Sequence, residues 1–237
     1  MAVIYAVGVG PGDPELLTRK AERILLQADV VMAPVSNPTE ASVALTIVDG
    51  IIDASRQEVI VHQFPMTSDK ARLTVAWREA ASIMVSHAEA GRNVAFITIG
   101  DPLFYSTFIY LLQILRKEHP HIPLEIVPGI SSINASAAQA AAPLVEGNEA
   151  MAVVPATAGI EKIATALADF DTVVVLKVKP LFSEILELLR THGREGSTLF
   201  VERAGSARQI VLTDFTDIAV HLPDYLSLLI IRKPERQ

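Results

Sequence analysis

Val3-Ile4-Tyr5-Ala6-Val7-Gly8-Val9-Gly10-Pro11-Gly12-Asp13-Pro14 is the stretch that decides the fold. Val3–Val7 is a short apolar run and reads as a buried strand that ends abruptly in a glycine-rich loop. Asp13 can cap a helix, and Pro14 suits a first helical position, where its missing N–H costs nothing. Leu17, Ala21, Ile24 and Ala28 then recur at helical spacing on one face. Strand, tight turn and helix together open a parallel α/β sheet.

Outward from this unit the same grammar repeats. Val30–Met32 and Val59–Val61 read as strands, and 69–90 as a long helix with Leu73, Ala76, Ala80, Ile83 and His87 along one stripe, ended by Gly91. Val94–Ile99 is a further buried strand, followed by Gly100-Asp101-Pro102 and a helix over 103–117. The Pro-rich segment His119-Pro120-His121-Ile122-Pro123 breaks that helix and serves as the expected linker, giving an N-terminal α/β domain over 1–119 and a C-terminal one over 120–237. The second half has more consecutive strands: 124–127, 151–154, 172–178, 198–202, 209–212 and 225–231, with helices over 131–142, 159–168 and 182–189. A mixed sheet is expected there.

Composition narrows the function. A net charge of −7 with no basic run disfavours non-specific nucleic-acid binding. The absence of cysteine removes disulfides, thiol nucleophiles and thiolate metal sites. The N-terminus enters a strand with no basic leader, and apolar stretches such as 225–231 are too short to span a bilayer, so a cytoplasmic protein is expected, away from membranes.

The loops carry the chemistry. The first one departs from the dinucleotide fingerprint, because Asp13 stands where the third glycine belongs and would repel a pyrophosphate. It is a tight turn with a capped helix, or the rim of a ligand cleft. Gly100-Asp101-Pro102 lies at the carboxyl end of a strand, where open α/β sheets bind ligands. Asp101 can cap the next helix or answer a cationic ligand. Pro128-Gly129-Ile130-Ser131-Ser132 offers caps in Ser131 or Ser132, or hydroxyls for a carboxylate or ribose. Glu202-Arg203-Ala204-Gly205-Ser206-Ala207-Arg208-Gln209 is a charged hairpin, or a small-residue surface for an adenine. Only His119 and His121 approach metal-ligand spacing, and their Pro-rich setting reads as polar loop, so no protein-bound metal is expected.

Taken in order, these four loops resemble the tetrapyrrole methylase family. Phe64-Pro65-Met66-Thr67, the run from Gly100 through Tyr105-Ser106-Thr107-Phe108, and Pro223-Asp224-Tyr225-Leu226-Ser227 resemble its C20-methyltransferase branch. The resemblance implies two α/β domains with a cofactor cleft between them, the class III fold of methyltransferases that use S-adenosylmethionine, usually as a homodimer. It implies methylation of C20 of precorrin-2 or of cobalt-precorrin-2 in cobalamin biosynthesis, the alternative being a family member acting at another ring position. It implies cofactor contacts at Pro11, Gly100, Asp101, Tyr105, Ser131 or Ser132, Leu176, Lys177, Ala204 and Leu226, and it makes Tyr225 and Asp101 candidates for the base that removes a proton after methylation. Arg19, Lys20, Lys177, Lys179, Arg203 and Arg208 are the cations nearest to loop ends, and at least two are expected to meet the carboxylates of the substrate. Rivals are a macromolecule methylase of the same fold, a tetrapyrrole carrier without catalysis, and a NAD-dependent oxidoreductase.

Overall fold

The computed structural model describes residues 2–37 and 39–233. It contains two units, Met1–Ser131 and Ser132–Gln237.

In the first unit β1 (Ile4–Gly8), α1 (Arg19–Gln27), β2 (Val30–Val35), α2 (Val43–Val48), β3 (Glu58–Gln63), α3 (Lys70–Glu89), β4 (Val94–Thr98), α4 (Phe108–Glu118) and β5 (Leu124–Val127) follow in chain order. The strands form one sheet, β3-β2-β4-β1-β5, and every neighbouring pair is parallel. Helices cover both faces, so the strands are nearly continuous apolar runs. Alternation sorts them: Ile4, Ala6, Met32 and Phe96 face α3 and α4, while Val7, Val31, Ala33 and Ile97 face α1 and α2. Fully burying an Ile or Phe of this kind contributes about 1.5–3 kcal/mol.

The strand order sets the site. From β1 the chain crosses toward β2, and from β4 it crosses the other way toward β5. Adjacent strands whose connections leave in opposite directions create a crevice at their carboxyl ends. The Gly8–Gly12 loop and the Gly100–Pro102 loop both start there.

Three local expectations give way. Asp13 caps only a 3-10 turn, Pro14–Leu16, its Oδ1 accepting from Glu15 N at 2.9 Å; α1 starts at Arg19, capped by Thr18, whose Oγ1 accepts from Ala21 N at 3.1 Å. The helix after Gly100 starts at Phe108 rather than 103. The expected boundary after residue 119 falls inside the first unit, because Leu124–Val127 pairs with β1 and completes the sheet.

The second unit contains α5 (Ser132–Gln139), β6 (Met151–Pro155), α6 (Ile160–Asp169), β7 (Thr172–Leu176), α7 (Phe182–Thr191), β8 (Thr198–Glu202), β9 (Ile210–Leu212), α8 (Phe215–Val220) and β10 (Ser227–Arg232). Its sheet, β6-β7-β10-β8-β9, is mixed: β6 and β7 are parallel and the other pairs antiparallel. Ile163, Leu167, Ile185, Leu189 and Ile218 pack from α6, α7 and α8 onto Val173, Val175, Phe200, Leu229 and Ile231. Because β10 runs against both its neighbours, the carboxyl ends of β7 and β8 flank its beginning: Leu176 pairs with Leu228 and Glu202 with Ser227.

Candidate functional site

In the first unit three loops meet at the switch point through bare backbone. Gly100 N donates to Gly10 O at 2.8 Å, forming an isolated bridge between the two glycine loops. A Cβ on Gly8 would lie 2.5 Å from Gly100 O and 2.6 Å from Gly129 N, and a Cβ on Gly129 only 2.1 Å from Gly100 O. No side chain fits between these strands' ends. The glycines at 8 and 129 therefore bring loop against loop.

Asp101 locks this arrangement. Its Oδ1 accepts from Leu103 N at 2.8 Å and its Oδ2 from Gly129 N at 3.1 Å. One carboxylate thus shapes its own turn and ties the β4 loop to the β5 loop. The turn displays Leu103, Phe104 and Tyr105, all exposed, with the two rings edge to face at 5.0 Å. Tyr105 has φ +52°, a left-handed conformation that bulky side chains avoid and that costs on the order of 1–3 kcal/mol. Ser106 anchors the far end: its buried Oγ stands 3.1 Å from Thr98 Oγ1 and accepts from Phe108 N at 3.2 Å, opening α4. Ser131 lies beside Gly100, its Cα 4.0 Å from where a Gly100 Cβ would be, and Ser132 opens α5; Pro11 is buried in the first loop. Of the expected cofactor residues, Gly100, Asp101 and Ser131 are therefore brought together here, with Tyr105 on the adjoining turn.

In the second unit Leu176, Lys177, Ala204, Tyr225 and Leu226 gather at the end of the sheet where β10 begins. Arg203 N donates to Leu226 O at 2.8 Å. Lys177 and Arg203, each the first residue past a strand, have φ +56° and +50°. With Tyr105, they place three of the four left-handed non-glycine residues among the described residues on expected site loops. Backbone strain of this kind concentrates at ligand sites. Ala204 is buried, Leu176 closes β7 inside the core, and Tyr225 is 45% exposed just before β10.

Charge at this end centres on Asp224, paired with Arg203. Burial pushes its carboxyl up, but the Tyr225 N–H, the Arg203 guanidinium and Lys179 outweigh it, and the net shift is below the ordinary aspartate value. Of the six expected cations, Lys20 pairs with Glu125 at 2.5 Å and Arg203 with Asp224, while Arg19, Lys179 and Arg208 are exposed and Lys177 half-buried. His121 meets Glu89 at 3.2 Å on the surface. Among the described residues no three His, Cys, Asp or Glu form a group able to hold a metal, and no helix is long and apolar enough to cross a membrane.

No sequence signal assigns a role to Thr98 or His221, and Ser106, Glu202 and Asp224 stand in the motifs above without any sign of the contacts they make. Ser106 lies in a span expected to be helical, and the partners of Glu202 are some twenty residues away in sequence.

The chain matches the family model for tetrapyrrole (corrin/porphyrin) methylases over residues 3–219. It is 37% identical to the probable cobalt-precorrin-2 C(20)-methyltransferase of Methanocaldococcus jannaschii over 98% of this chain and 97% of that one. It is 39% identical to the cobalt-precorrin-2 C(20)-methyltransferase of Salmonella typhimurium over 85% and 83%. The uroporphyrin-III C-methyltransferase of Thermus thermophilus, solved with S-adenosylhomocysteine, superposes with a TM-score of 0.72 at 25% identity over 98% of both chains. The glycine-locked loops, the parallel and mixed sheets that carry them and these matches along almost the whole chain have one common reading: the chain belongs to the tetrapyrrole methylase family.

Proposed function

We propose that this protein transfers a methyl group from S-adenosylmethionine to C20 of precorrin-2 or cobalt-precorrin-2 in cobalamin biosynthesis. The observation that carries the reading is Asp101, fixed by the Leu103 and Gly129 N–H groups between three glycine loops and beside the strained Tyr105. A loop corner with bare backbone and a fixed carboxylate fits a donor that carries both a sulfonium and an ammonium. The substrate is assigned from the names of the relatives.

S-adenosylmethionine, when bound, supplies a methyl group on a positively charged sulfur. Pro11, Gly100, Asp101, Tyr105, Ser131, Ser132, Leu176, Lys177, Ala204 and Leu226 are the residues proposed to hold it. Their task is orientation, which in well-aligned reactions lowers a barrier by about 7–11 kcal/mol. No catalytic triad is needed, because the attacking carbon belongs to the substrate. Both oxygens of Asp101 accept backbone N–H groups, which suits a brace. Tyr225, half exposed just before β10, is proposed as the acceptor for the proton that the methylated carbon must lose. Lys177, Lys179, Arg203 and Arg208 are proposed to meet the carboxylates of the tetrapyrrole. A cytoplasmic homodimer holding no metal of its own completes the proposal; any cobalt belongs to the substrate.

The test is an anaerobic assay with labelled S-adenosylmethionine and both precorrin-2 and cobalt-precorrin-2, with product mass and the methylated carbon read by NMR. One methyl at C20 is expected, and the faster substrate assigns the metal state. Cofactor binding without methylation of either tetrapyrrole would remove the C20 assignment.

A further inference from the structure

Residues 221–226 carry Tyr225 and Leu226 but form no helix or strand. The His221 ring lies 4.9 Å from that of buried Phe200, but Leu222, next in the chain, is 90% exposed, and Val220 just before the segment is exposed as well. Polar ties supply the rest of the hold, and they converge on the end of β8. Glu202, the last residue of β8, is only 7% exposed. Its Oε2 accepts from Asp224 N at 2.7 Å and stands 3.2 Å from His221 Nε2. Arg203 pairs with the Asp224 carboxylate, and its own N–H takes Leu226 O. The second oxygen of Asp224 accepts from Tyr225 N at 2.5 Å, and Asp224 O accepts from Ser227 Oγ at 2.6 Å. Two consecutive residues of β8 and its turn thus grip the segment at 221, 224 and 226.

We propose that Glu202 is a positioning residue: with His221, Asp224 and Arg203 it fixes the course of 221–226 and so sets where Tyr225 and Leu226 stand. Nothing in the chemistry of methyl transfer requires a buried glutamate here. A carboxylate withdrawn from water is retained where its hydrogen bonds define a geometry. The clamp itself rests on the distances above; its consequence for catalysis rests on the methyltransferase reading. Because Glu202 acts by accepting hydrogen bonds, glutamine, which keeps an acceptor oxygen in the same place, should substitute for it, and alanine should not.

The experiment compares Glu202→Ala, Glu202→Gln and Asp224→Asn in the full chain. Hydrogen exchange by mass spectrometry reads the segment, calorimetry reads S-adenosylhomocysteine affinity, and the anaerobic assay reads kcat and KM. In Glu202→Ala, exchange over 221–226 is expected to accelerate while β10 stays protected, with S-adenosylhomocysteine affinity and kcat falling by on the order of 10–100-fold. Glu202→Gln is expected to stay within about threefold of wild type in both. Asp224→Asn, at a more open position, should shift exchange and affinity the same way by less, and it carries the test if the alanine variant does not fold. Unchanged exchange over 221–226 in both Glu202→Ala and Asp224→Asn would overturn the clamp. Accelerated exchange with unchanged affinity and kcat would overturn the positioning role, as would a glutamine variant as impaired as alanine. If the wild-type protein neither binds S-adenosylhomocysteine nor methylates a tetrapyrrole, the methyltransferase reading falls with the positioning role, while the exchange data still decide the clamp.

Discussion

Replacing Gly129 with alanine would place a methyl group where two backbones already touch. The added Cβ would stand 2.1 Å from Gly100 O and 2.8 Å from Gly8 Cα and carbonyl carbon. Carbon and a carbonyl oxygen settle at about 3.3–3.6 Å even in their closest favourable contacts, so the loops must part by more than about 1 Å. The atoms to be moved are all backbone, and no side-chain rotation relieves them. Moving them stretches the Gly129 N–Asp101 Oδ2 bond of 3.1 Å and the Gly100 N–Gly10 O bond of 2.8 Å. Overpacking costs about 1–3 kcal/mol, and two weakened hydrogen bonds add about 0.5–1.5 kcal/mol each. The sum, about 2–6 kcal/mol, corresponds to a Tm lower by roughly 4–24 °C at this chain length. Gly50→Ala is the control: nothing lies within 4 Å of its added Cβ, and a change of less than about 0.5 kcal/mol is expected. Calorimetric melting of the two variants, with S-adenosylhomocysteine titrations at a temperature where both are folded, makes the comparison. A Gly129→Ala protein melting within about 2 °C of Gly50→Ala would refute the view that the glycines serve loop-on-loop packing.

Asp101→Asn turns one oxygen into a donor facing a backbone N–H; the orphaned N–H should cost about 1–3 kcal/mol and weaken S-adenosylhomocysteine binding, and thermal melting with calorimetry checks both. Tyr105→Asn should raise Tm by about 0.5–1.5 kcal/mol equivalent, because asparagine tolerates the left-handed backbone, while lowering cofactor affinity; a drop in Tm would contradict the strain. Tyr225→Phe should reduce kcat by about 10²–10⁴-fold with S-adenosylhomocysteine affinity unchanged, and an unchanged kcat removes its role as base. Asp224 has its carboxyl lowered in the folded protein, so its contribution is fully present above the unfolded value of about 3.9 and is lost as pH falls through the folded one. The Tm gap between wild type and Asp224→Asn should be constant near neutral pH and close in the acid range; a gap independent of pH down to about 3 would show that the ion pair adds nothing.

Most of the strand plan was legible because β1, β2, β4 and β10 are buried on both faces, and short apolar runs between turn residues have few other readings. The failures are physical. Leu103, Phe104 and Tyr105 look like the first turn of an apolar helix, yet they form an exposed turn whose ends are pinned by Asp101 and Ser106; residue type gives no warning of a left-handed tyrosine. Asp13 and Pro14 are sound start signals, but for a single 3-10 turn, with Thr18 capping the true helix. Helices α2 and α8 are six residues each, too short for periodicity to register. The Pro-rich segment after His119 was read as a linker between domains, whereas the pairing of β5 with β1 spans the whole first unit and no local signal announces it. The same holds for Glu202: the Glu-Arg pair was visible, its grip on Asp224 was not.

The place of β1 in its sheet has a consequence for synthesis. It is made before the other strands of its sheet, yet both of its edges are closed by strands made much later: β4 covers one and β5 the other, the latter more than a hundred residues downstream. At roughly 5–20 residues per second, an apolar strand with both edges open must wait on the order of ten seconds before its last partner leaves the ribosome. The nascent chain, more than the finished protein, is where this sequence is exposed to wrong pairings, and chaperone dependence should track the delivery of Leu124–Val127.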